Sequence, residues 1–245
     1  MTIEPKDLLP TFATGEEYHL LAEEYREQRK DFEGSLALLD KAISLYAKEA
    51  RWDKLALAHQ SQVLAYKHLM NFPSPGITSE EALQKAKEAA QKSMDVANAH
   101  PDETKAVLGA CYFRLGEVAL LGRNYSEAVE YFGQAVTNHQ GTNAERGDFR
   151  YHLGEALVLT GKKEEGIQTI LQGIEEIQTH TSEVGDFLEH VWVSGAYMRL
   201  AEILREDKPD EARRYLTEAK KIIDSDPRLK IRKDQWEHLA ATFSR

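Results

Sequence analysis

The sequence predicts an all-α fold: a right-handed α-solenoid of about five helix pairs, followed by a C-terminal capping helix. Apolar residues recur at helical spacing along most of the 245 residues, and no stretch shows the sustained two-residue alternation of a strand. Runs rich in Val, Ile and Thr are missing, so about eleven helices and no sheet are expected. One short phrase recurs at intervals of 38 to 51 residues, a spacing that is typical of stacked supersecondary repeats.

In its clearest copies, the recurring phrase contains a large residue, a basic or ionisable residue, Leu, a small residue and Glu. Three copies fit this order closely and two fit it less well. The copies are His19–Glu23, Gln62–Tyr66, Phe113–Glu117, Tyr151–Glu155 and Met198–Glu202. We expect each copy to lie on the first helix of a pair, which we term the front helix. The copy that ends at Tyr66 departs most from this order, and the sequence leaves its register open.

The second helix of each pair, which we term the back helix, carries small and large residues in a fixed order. After Gly116 this order is Ala128, Phe132 and Ala135, each about one helical turn from the next. Small side chains let neighbouring helices approach closely, and the large one fills the space beside them. We therefore expect Gly116 and Phe132 to be packed in the interior.

The helix pairs divide the chain into a tail, an array and a cap. We expect residues 1–13 to form an N-terminal tail, residues 14–226 to form the repeat array and residues 227–245 to form the capping helix. The approximate repeats are 14–48, 50–99, 101–140, 143–180 and 182–224. Thr78 and Glu81 have the spacing of a capping box, which predicts the start of a back helix between them.

This combination of front and back helices resembles the tetratricopeptide repeat. The residues that fit the family pattern best are Tyr112, Leu115, Gly116, Ala119, Tyr125, Ala128, Phe132 and Ala135. The resemblance covers most of the chain, roughly from Gly15 to Ile223. Because the common repeat of the family has about 34 residues, the longer spacing here resembles the long-helix repeats of kinesin light chains and of bacterial peptide-sensing regulators. The resemblance implies a solenoid whose concave groove holds another protein or a peptide.

Composition and charge argue against several classes of partner. Acidic residues outnumber basic ones by 41 to 31, for a net charge of -10, so nucleic acid is not expected as a partner. No apolar run reaches the roughly 18 residues that a membrane span needs, so no membrane insertion is expected. Residues 1–6 lack the basic and apolar stretches of a secretion signal, and a cytoplasmic location is therefore expected. Cys111, the single cysteine, is expected to be a buried and unreactive thiol.

The sequence contains no pattern that predicts catalysis, a cofactor or a metal site. It has neither His-Glu-x-x-His nor Cys-x-x-Cys, and no glycine-rich phosphate loop or Gly-x-Ser-x-Gly elbow. His59 and His68 lie nine residues apart on one predicted helix, which separates them by about 13 Å along its axis. That distance is too long for a shared metal ion. No enzymatic activity and no cofactor are expected.

The residues of the recurring phrase that flank its Leu and its small residue are the candidates for binding a partner. They are Tyr66, Phe113, Arg114, Glu117, Tyr151, His152, Glu155, Met198, Arg199 and Glu202. Two interpretations stay open. The charged members, three residues apart on one helix, could form solvated ion pairs worth a few tenths of a kcal/mol. Alternatively, they could form a ladder that contacts an extended peptide or a helix of a partner.

The sequence thus predicts a non-catalytic scaffold for protein–protein interaction, with a peptide, a helix or a domain held in the concave groove. The alternative is a ligand-gated regulator that senses a small peptide in the groove and changes its conformation. Homo-oligomers are possible, because exposed apolar strips on solenoids can pair. The sequence does not identify the partner.

Overall fold

A computed structural model of the protein describes residues 14–72 and 76–243. These residues form eleven α-helices of ten or more residues, one helix of four residues, short π and 3-10 turns, and no β-strand. The all-α repeat fold that the sequence predicts is confirmed. The predicted tail, residues 1–13, lies outside the described residues, and the repeat limits given above stay a prediction.

The contacts within the chain define two compact units. Among the described residues, unit 1 consists of 14–72 and 76–124 with Thr137–Gln140, and unit 2 consists of Tyr125–Val136 with 141–243. The helices of unit 1 are α1 (Gly15–Glu24), α2 (Phe32–Lys48), α3 (Trp52–Asn71), α4 (Ser79–Ala99), α5 (Pro101–Thr104) and α6 (Leu108–Leu121). The helices of unit 2 are α7 (Tyr125–Asn138, whose last two residues belong to unit 1), α8 (Asn143–Leu159), α9 (Lys163–Thr179), α10 (Asp186–Leu204), α11 (Pro209–Ser225) and α12 (Lys230–Thr242).

Helix α1 begins with a capping box, and it approaches α2 closely at its first residue, Gly15. The Thr14 hydroxyl accepts a hydrogen bond from the Glu17 backbone N–H, and the Glu17 carboxylate accepts one from the Thr14 N–H, so two otherwise unpaired donors are satisfied. A Cβ at Gly15 would lie 2.9 Å from the Tyr46 ring, which is itself buried. Beyond α1 the chain makes a π-turn and then reverses through Lys30, whose φ is 53°.

The next pair, α3 and α4, packs through alanines and encloses a small polar cluster. The Gln60 side-chain amide donates to the Ser93 hydroxyl at 3.3 Å and to the Cys111 sulfur at 3.3 Å. The Ser93 hydroxyl donates in turn to the Ala56 carbonyl at 3.0 Å. Burial raises the pKa of the Cys111 thiol, and its hydrogen bonds only partly oppose this. Cys111 is therefore a buried structural thiol, as its apolar surroundings in the sequence predicted.

The pair α8 and α9 packs backbone against backbone, because glycines face each other at two levels. A Cβ at Gly154 would lie 2.6 Å from the Gly166 carbonyl oxygen, and a Cβ at Gly147 would lie 2.6 Å from that of Gly173. Each helix thus presents two glycines seven residues apart, which is about two turns. No side chain larger than hydrogen fits at these four positions without moving a helix.

We expect Gly154→Ala to lower the free energy of unfolding by about 1–3 kcal/mol, because the new methyl group overpacks this contact. The loss should appear even though Ala favours a helix over Gly by about 1 kcal/mol. Urea titration followed by circular dichroism measures it. Gln168→Ala, on the exposed face of α9, is the matched control and should change stability by no more than about 0.5 kcal/mol. A Gly154→Ala protein as stable as the control would contradict the close contact.

The last helix, α12, packs on α10 and α11 with few buried residues. Ile231 is its one buried residue, and the Trp236 indole N–H donates to the Leu216 carbonyl of α11 at 2.9 Å. Lys230, Lys233 and Glu237 are exposed. This face of α12 is therefore polar, and its role as a capping helix stays a prediction.

Candidate partner-binding surface

The five copies of the recurring phrase lie on α1, α3, α6, α8 and α10, which are the front helices of the two units. Of the ten candidate residues, five are buried: Phe113, Glu117, Tyr151, Glu155 and Met198. Four are partly buried: Tyr66, Arg114, His152 and Arg199. Glu202 is exposed. The large residue of the three clearest copies is therefore a core residue. What a partner could reach is Glu202 and the exposed parts of Tyr66, Arg114, His152 and Arg199.

In unit 1 the charged cluster is built around the buried carboxylate of Glu117. Arg114, one turn earlier on α6, donates to one of its oxygens, and Lys67 of α3 donates to the other at 2.5 Å. Only 4 % of the Glu117 side chain is exposed. A buried carboxylate is costly to hold unless cations and hydrogen-bond donors surround it, and here two cations from two front helices do so.

The structure separates Tyr66 from this cluster. Burial raises the pKa of its phenol, and the charges that raise it further belong to Asp40 and Glu88, on the back helices α2 and α4. Its neighbour Lys67 makes the contact with Glu117 instead. One residue corresponds to a rotation of about 100° around a helix, so adjacent residues face different neighbours. Lys67 is the member of the cluster that the sequence analysis missed, and it follows the copy whose register the sequence left open.

In unit 2 the corresponding cluster is built around Glu155. The Arg199 guanidinium of α10 donates to Glu155 of α8 at 2.9 Å and to Glu202 of its own helix at 2.5 Å. The Nδ1 atom of His152 lies 3.6 Å from Glu155, and its Nε2 atom lies 3.9 Å from Asp148. The charge of Glu155, more than any other group, raises the pKa of Arg199 and keeps it protonated.

Both ion pairs that the spacing allowed are present, Arg114 with Glu117 and Arg199 with Glu202. Each buried Glu of the phrase, however, also takes a cation from a neighbouring front helix of the same unit: Lys67 for Glu117 and Arg199 for Glu155. The phrase therefore links consecutive front helices. The Arg199 side chain still has 41 % of its area exposed and that of Glu202 has 50 %, so this pair remains open to a partner.

Exposed apolar side chains lie on the same helices. Among the described residues, three large hydrophobic side chains are exposed: Leu20 on α1, Leu159 on α8 and Leu188 on α10. All three belong to front helices. Leu159 is the last residue of α8, whereas Leu69, near the end of α3, is buried. Scattered exposed leucines are ordinary, but in unit 2 both of those found lie on front helices.

Among residues 14–72 and 76–243, no group of three or more His, Cys, Asp or Glu side chains is arranged to hold a metal ion. No helix in this part of the chain is long and apolar enough to cross a membrane.

Comparison with known proteins agrees with the repeat pattern. The family model of the tetratricopeptide repeat matches residues 110–142, which run from α6 through α7. A search of curated proteins found no match. Two similar solved structures are both of the nearly identical tetratricopeptide-like repeats of a putative kinesin light chain from Podospora anserina. One of them, a variant with a single substitution, has 18 % identity and a TM-score of 0.54, over 86 % of this chain and 94 % of that one.

The second structure, without that substitution, has 18 % identity and a TM-score of 0.52, over 86 % of this chain and 96 % of that one. At this identity the two structures support the fold. The match at residues 110–142 falls on the copy of the phrase that fits the family pattern best. The chain is therefore an all-α repeat protein whose residues 110–142 match the tetratricopeptide repeat, with a fold similar to that of kinesin light chain-like repeat structures.

Proposed function

We propose that the front helices hold a protein partner, as a peptide or as a helix, and that the chain works as a non-catalytic interaction scaffold. Tetratricopeptide repeats generally mediate binding of protein partners, which supports the class of function. The observation that carries the proposal is the surface formed by α8 and α10 in unit 2. There the open Arg199–Glu202 pair and the exposed Leu188 lie on α10, and the exposed Leu159 is the last residue of α8.

These residues suit recognition better than they suit stability. An exposed ion pair contributes roughly 0–1 kcal/mol to folding, so Glu202 can leave Arg199 at little cost. The guanidinium that it leaves carries donors in a planar fork that fits a carboxylate or several backbone carbonyls of a partner. Leu159 and Leu188 would supply the apolar contacts on which the affinity of most protein interfaces depends.

The test replaces the exposed leucines, because Tyr151 is in the core and Arg199 stabilises buried Glu155. Leu159→Glu/Leu188→Glu removes the apolar contacts of the front helices and adds two negative charges. The control Gln168→Glu/Gln172→Glu adds the same charge on the exposed face of back helix α9. Proteins captured from the native lysate are quantified by mass spectrometry. We expect the front-helix variant to capture at least tenfold less of the specifically bound partner than the wild type does. The control should capture as much as the wild type.

Both variants should keep the helical circular dichroism and the sedimentation coefficient of the wild type, which separates loss of a partner from unfolding or changed self-association. Equal recovery of the partner by the two variants would show that the exposed leucines of these front helices do not bind it.

A further inference from the structure

Side chains from two other helices meet above Gly195 of α10. A Cβ at this position would lie 3.0 Å from the Nη2 atom of Arg232, which belongs to α12, and 3.2 Å from the hydroxyl of Tyr151, which belongs to α8. Gly195 is buried by these neighbours. The glycine therefore forms the floor of a small niche, with the Tyr151 hydroxyl on one side and a guanidinium lying over it.

The missing side chain also uncovers a backbone acceptor. In a helix, a side chain leans toward the N-terminus and covers the turn that precedes its own Cα. Because residue 195 has none, the carbonyl of Val191, four residues earlier, is open to an outside donor. The Nε–H of Arg232 donates to this oxygen at 3.0 Å. A carbonyl oxygen has two lone pairs, so it can accept this bond in addition to one within its helix.

The electrostatic surroundings suit a cation. The Tyr151 hydroxyl senses the carboxylates of Asp148 and Glu155 on its own helix, and the guanidinium groups of Arg199 and Arg232 oppose them. Burial, followed by Asp148, raises the pKa of Tyr151, so the phenol stays neutral and can accept or donate a hydrogen bond. Two carboxylates of α8 thus act on the Tyr151 hydroxyl that borders the niche.

The hold of Arg232 on this niche is slight. Its Nη1 atom donates to Gln235 of its own helix, at 2.7 Å. The hydrogen bond to the Val191 carbonyl is therefore the one that joins Arg232 to α10. Helix α12 itself stays in place through buried Ile231 and through Trp236 and Leu239, which pack on a neighbouring apolar cluster. The Arg232 guanidinium, with one bond across to α10, can therefore leave the niche without the helix unpacking.

We propose that the niche formed by Gly195, the Val191 carbonyl and the Tyr151 hydroxyl is a subsite for an arginine side chain of a partner peptide, and that Arg232 fills it until such an arginine replaces it. The inference rests on the proposed function, since it names the partner's chemistry on the front helices of unit 2. Arginine fits better than lysine, because a flat guanidinium can lie on a glycine while its Nε–H reaches the carbonyl.

A fluorescein-labelled peptide with the sequence of residues 227–243 is the probe, and full-length chains are titrated against it by fluorescence anisotropy. In the wild type the internal arginine competes with the peptide, which weakens the apparent affinity. We expect Arg232→Ala to bind the peptide at least tenfold more tightly than the wild type does. Lys233→Ala, next to it and exposed, is the matched control and should bind like the wild type.

Two further variants test the site itself. Gly195→Ala, added to Arg232→Ala, should abolish the gain, because the new methyl group fills the floor of the niche. A peptide with Lys in place of its Arg232 should bind Arg232→Ala at least tenfold more weakly than the parent peptide. Circular dichroism must show that each protein is folded at the temperature of the titration.

Equal affinity of the wild type and Arg232→Ala, or equal affinity of the Arg and Lys peptides, would overturn the arginine subsite. That result is distinguishable from failure of the proposed function. The niche could fail while Leu159→Glu/Leu188→Glu still loses its partner. Conversely, the Arg and Lys peptides could bind with the expected difference while Leu159→Glu/Leu188→Glu recovers its partner in full. That result would contradict the proposed function of the exposed leucines and support the arginine subsite.

Discussion

Replacing Phe132 with Ala is expected to lower the free energy of unfolding by about 3–5 kcal/mol. Phe132 lies on α7 with none of its surface exposed, and its ring stacks on that of His152 with 5.7 Å between centroids. Truncation removes the transfer free energy of the ring. It also leaves a cavity that helices fixed by close contacts, such as α8 and α9, cannot readily close.

Urea titration followed by circular dichroism measures the loss of stability, and tryptophan fluorescence shows in which unit it occurs. Trp192 and Trp236 lie in unit 2, where Phe132 also lies, and Trp52 lies in unit 1. Glu130→Ala, an exposed change on the same helix, is the control and should alter stability by no more than about 0.5 kcal/mol. A loss below about 1 kcal/mol for Phe132→Ala would mean that the ring does not pack as described.

Phe132 also shows which part of the fold local sequence can predict. The small-large-small order of Ala128, Phe132 and Ala135 predicts a packed back helix because residues three and four apart share one helical face. All three are fully buried. The argument needs no knowledge of the neighbouring helix, since any helix that packs there meets the same face.

The candidate site was less predictable, because a helical pattern shows which residues share a face but not what covers that face. Phe113, Tyr151 and Met198 occupy the same place in the phrase and were predicted to face a partner. In this structure each is buried. Arg114 and Arg199, one residue further on, keep part of their surface. Arg114, Arg199 and Glu202 therefore still lie at a surface. The large residues, together with Glu117 and Glu155, belong to the interior.

Contacts between distant residues were beyond sequence reasoning altogether. Lys67 and Glu117 are 50 residues apart, on α3 and α6, and no local pattern in the sequence pairs them. Gly195 and Arg232 belong to different helices, and nothing local distinguishes a glycine that uncovers a carbonyl from one that only lets two helices approach. Only the packing of α8, α10 and α12 shows the difference.

The second large effect expected is a loss of stability in acid that depends on His19. This ring is almost buried between α1 and α3, with 13 % of its side chain exposed, and its Nε2 atom lies 2.8 Å from the Ser61 hydroxyl. Burial, aided by the charges of Arg26 on the turn after α1 and Lys54 on α3, lowers the pKa of His19 from 6.5 to about 4. Glu16 opposes this shift.

The other neighbours of His19 do not reverse the shift. Glu23, one turn later on α1, is 4.0 Å from Nε2, which is a weak contact with a largely exposed carboxylate. From α2 the ring meets Tyr46, with 6.1 Å between centroids and the rings near edge to face. Burial raises the pKa of Tyr46 to about 12, so it is neutral throughout the acid range.

The sign of the effect follows from the lowered pKa. Below pH 6.5 the unfolded chain binds a proton at His19 that the folded chain does not bind until about pH 4. The stabilisation is therefore complete above pH 6.5 and is lost as the pH falls to about 4. The difference between the two pKa values corresponds to about 3 kcal/mol, a large fraction of the free energy of a typical domain.

His19→Gln keeps a group that can bond to Ser61 but removes the titration. Between pH 7 and pH 4 its free energy of unfolding should therefore fall by about 3 kcal/mol less than that of the wild type. Urea titrations at several pH values measure both curves. His59 also has a lowered pKa and contributes in both proteins, so the difference between the curves isolates His19. His238→Gln, on the exposed side of α12, should leave the wild-type dependence unchanged.

Parallel curves for His19→Gln and the wild type would show that His19 takes up its proton equally in the folded and unfolded chain, and that the contact between α1 and α3 does not exclude water.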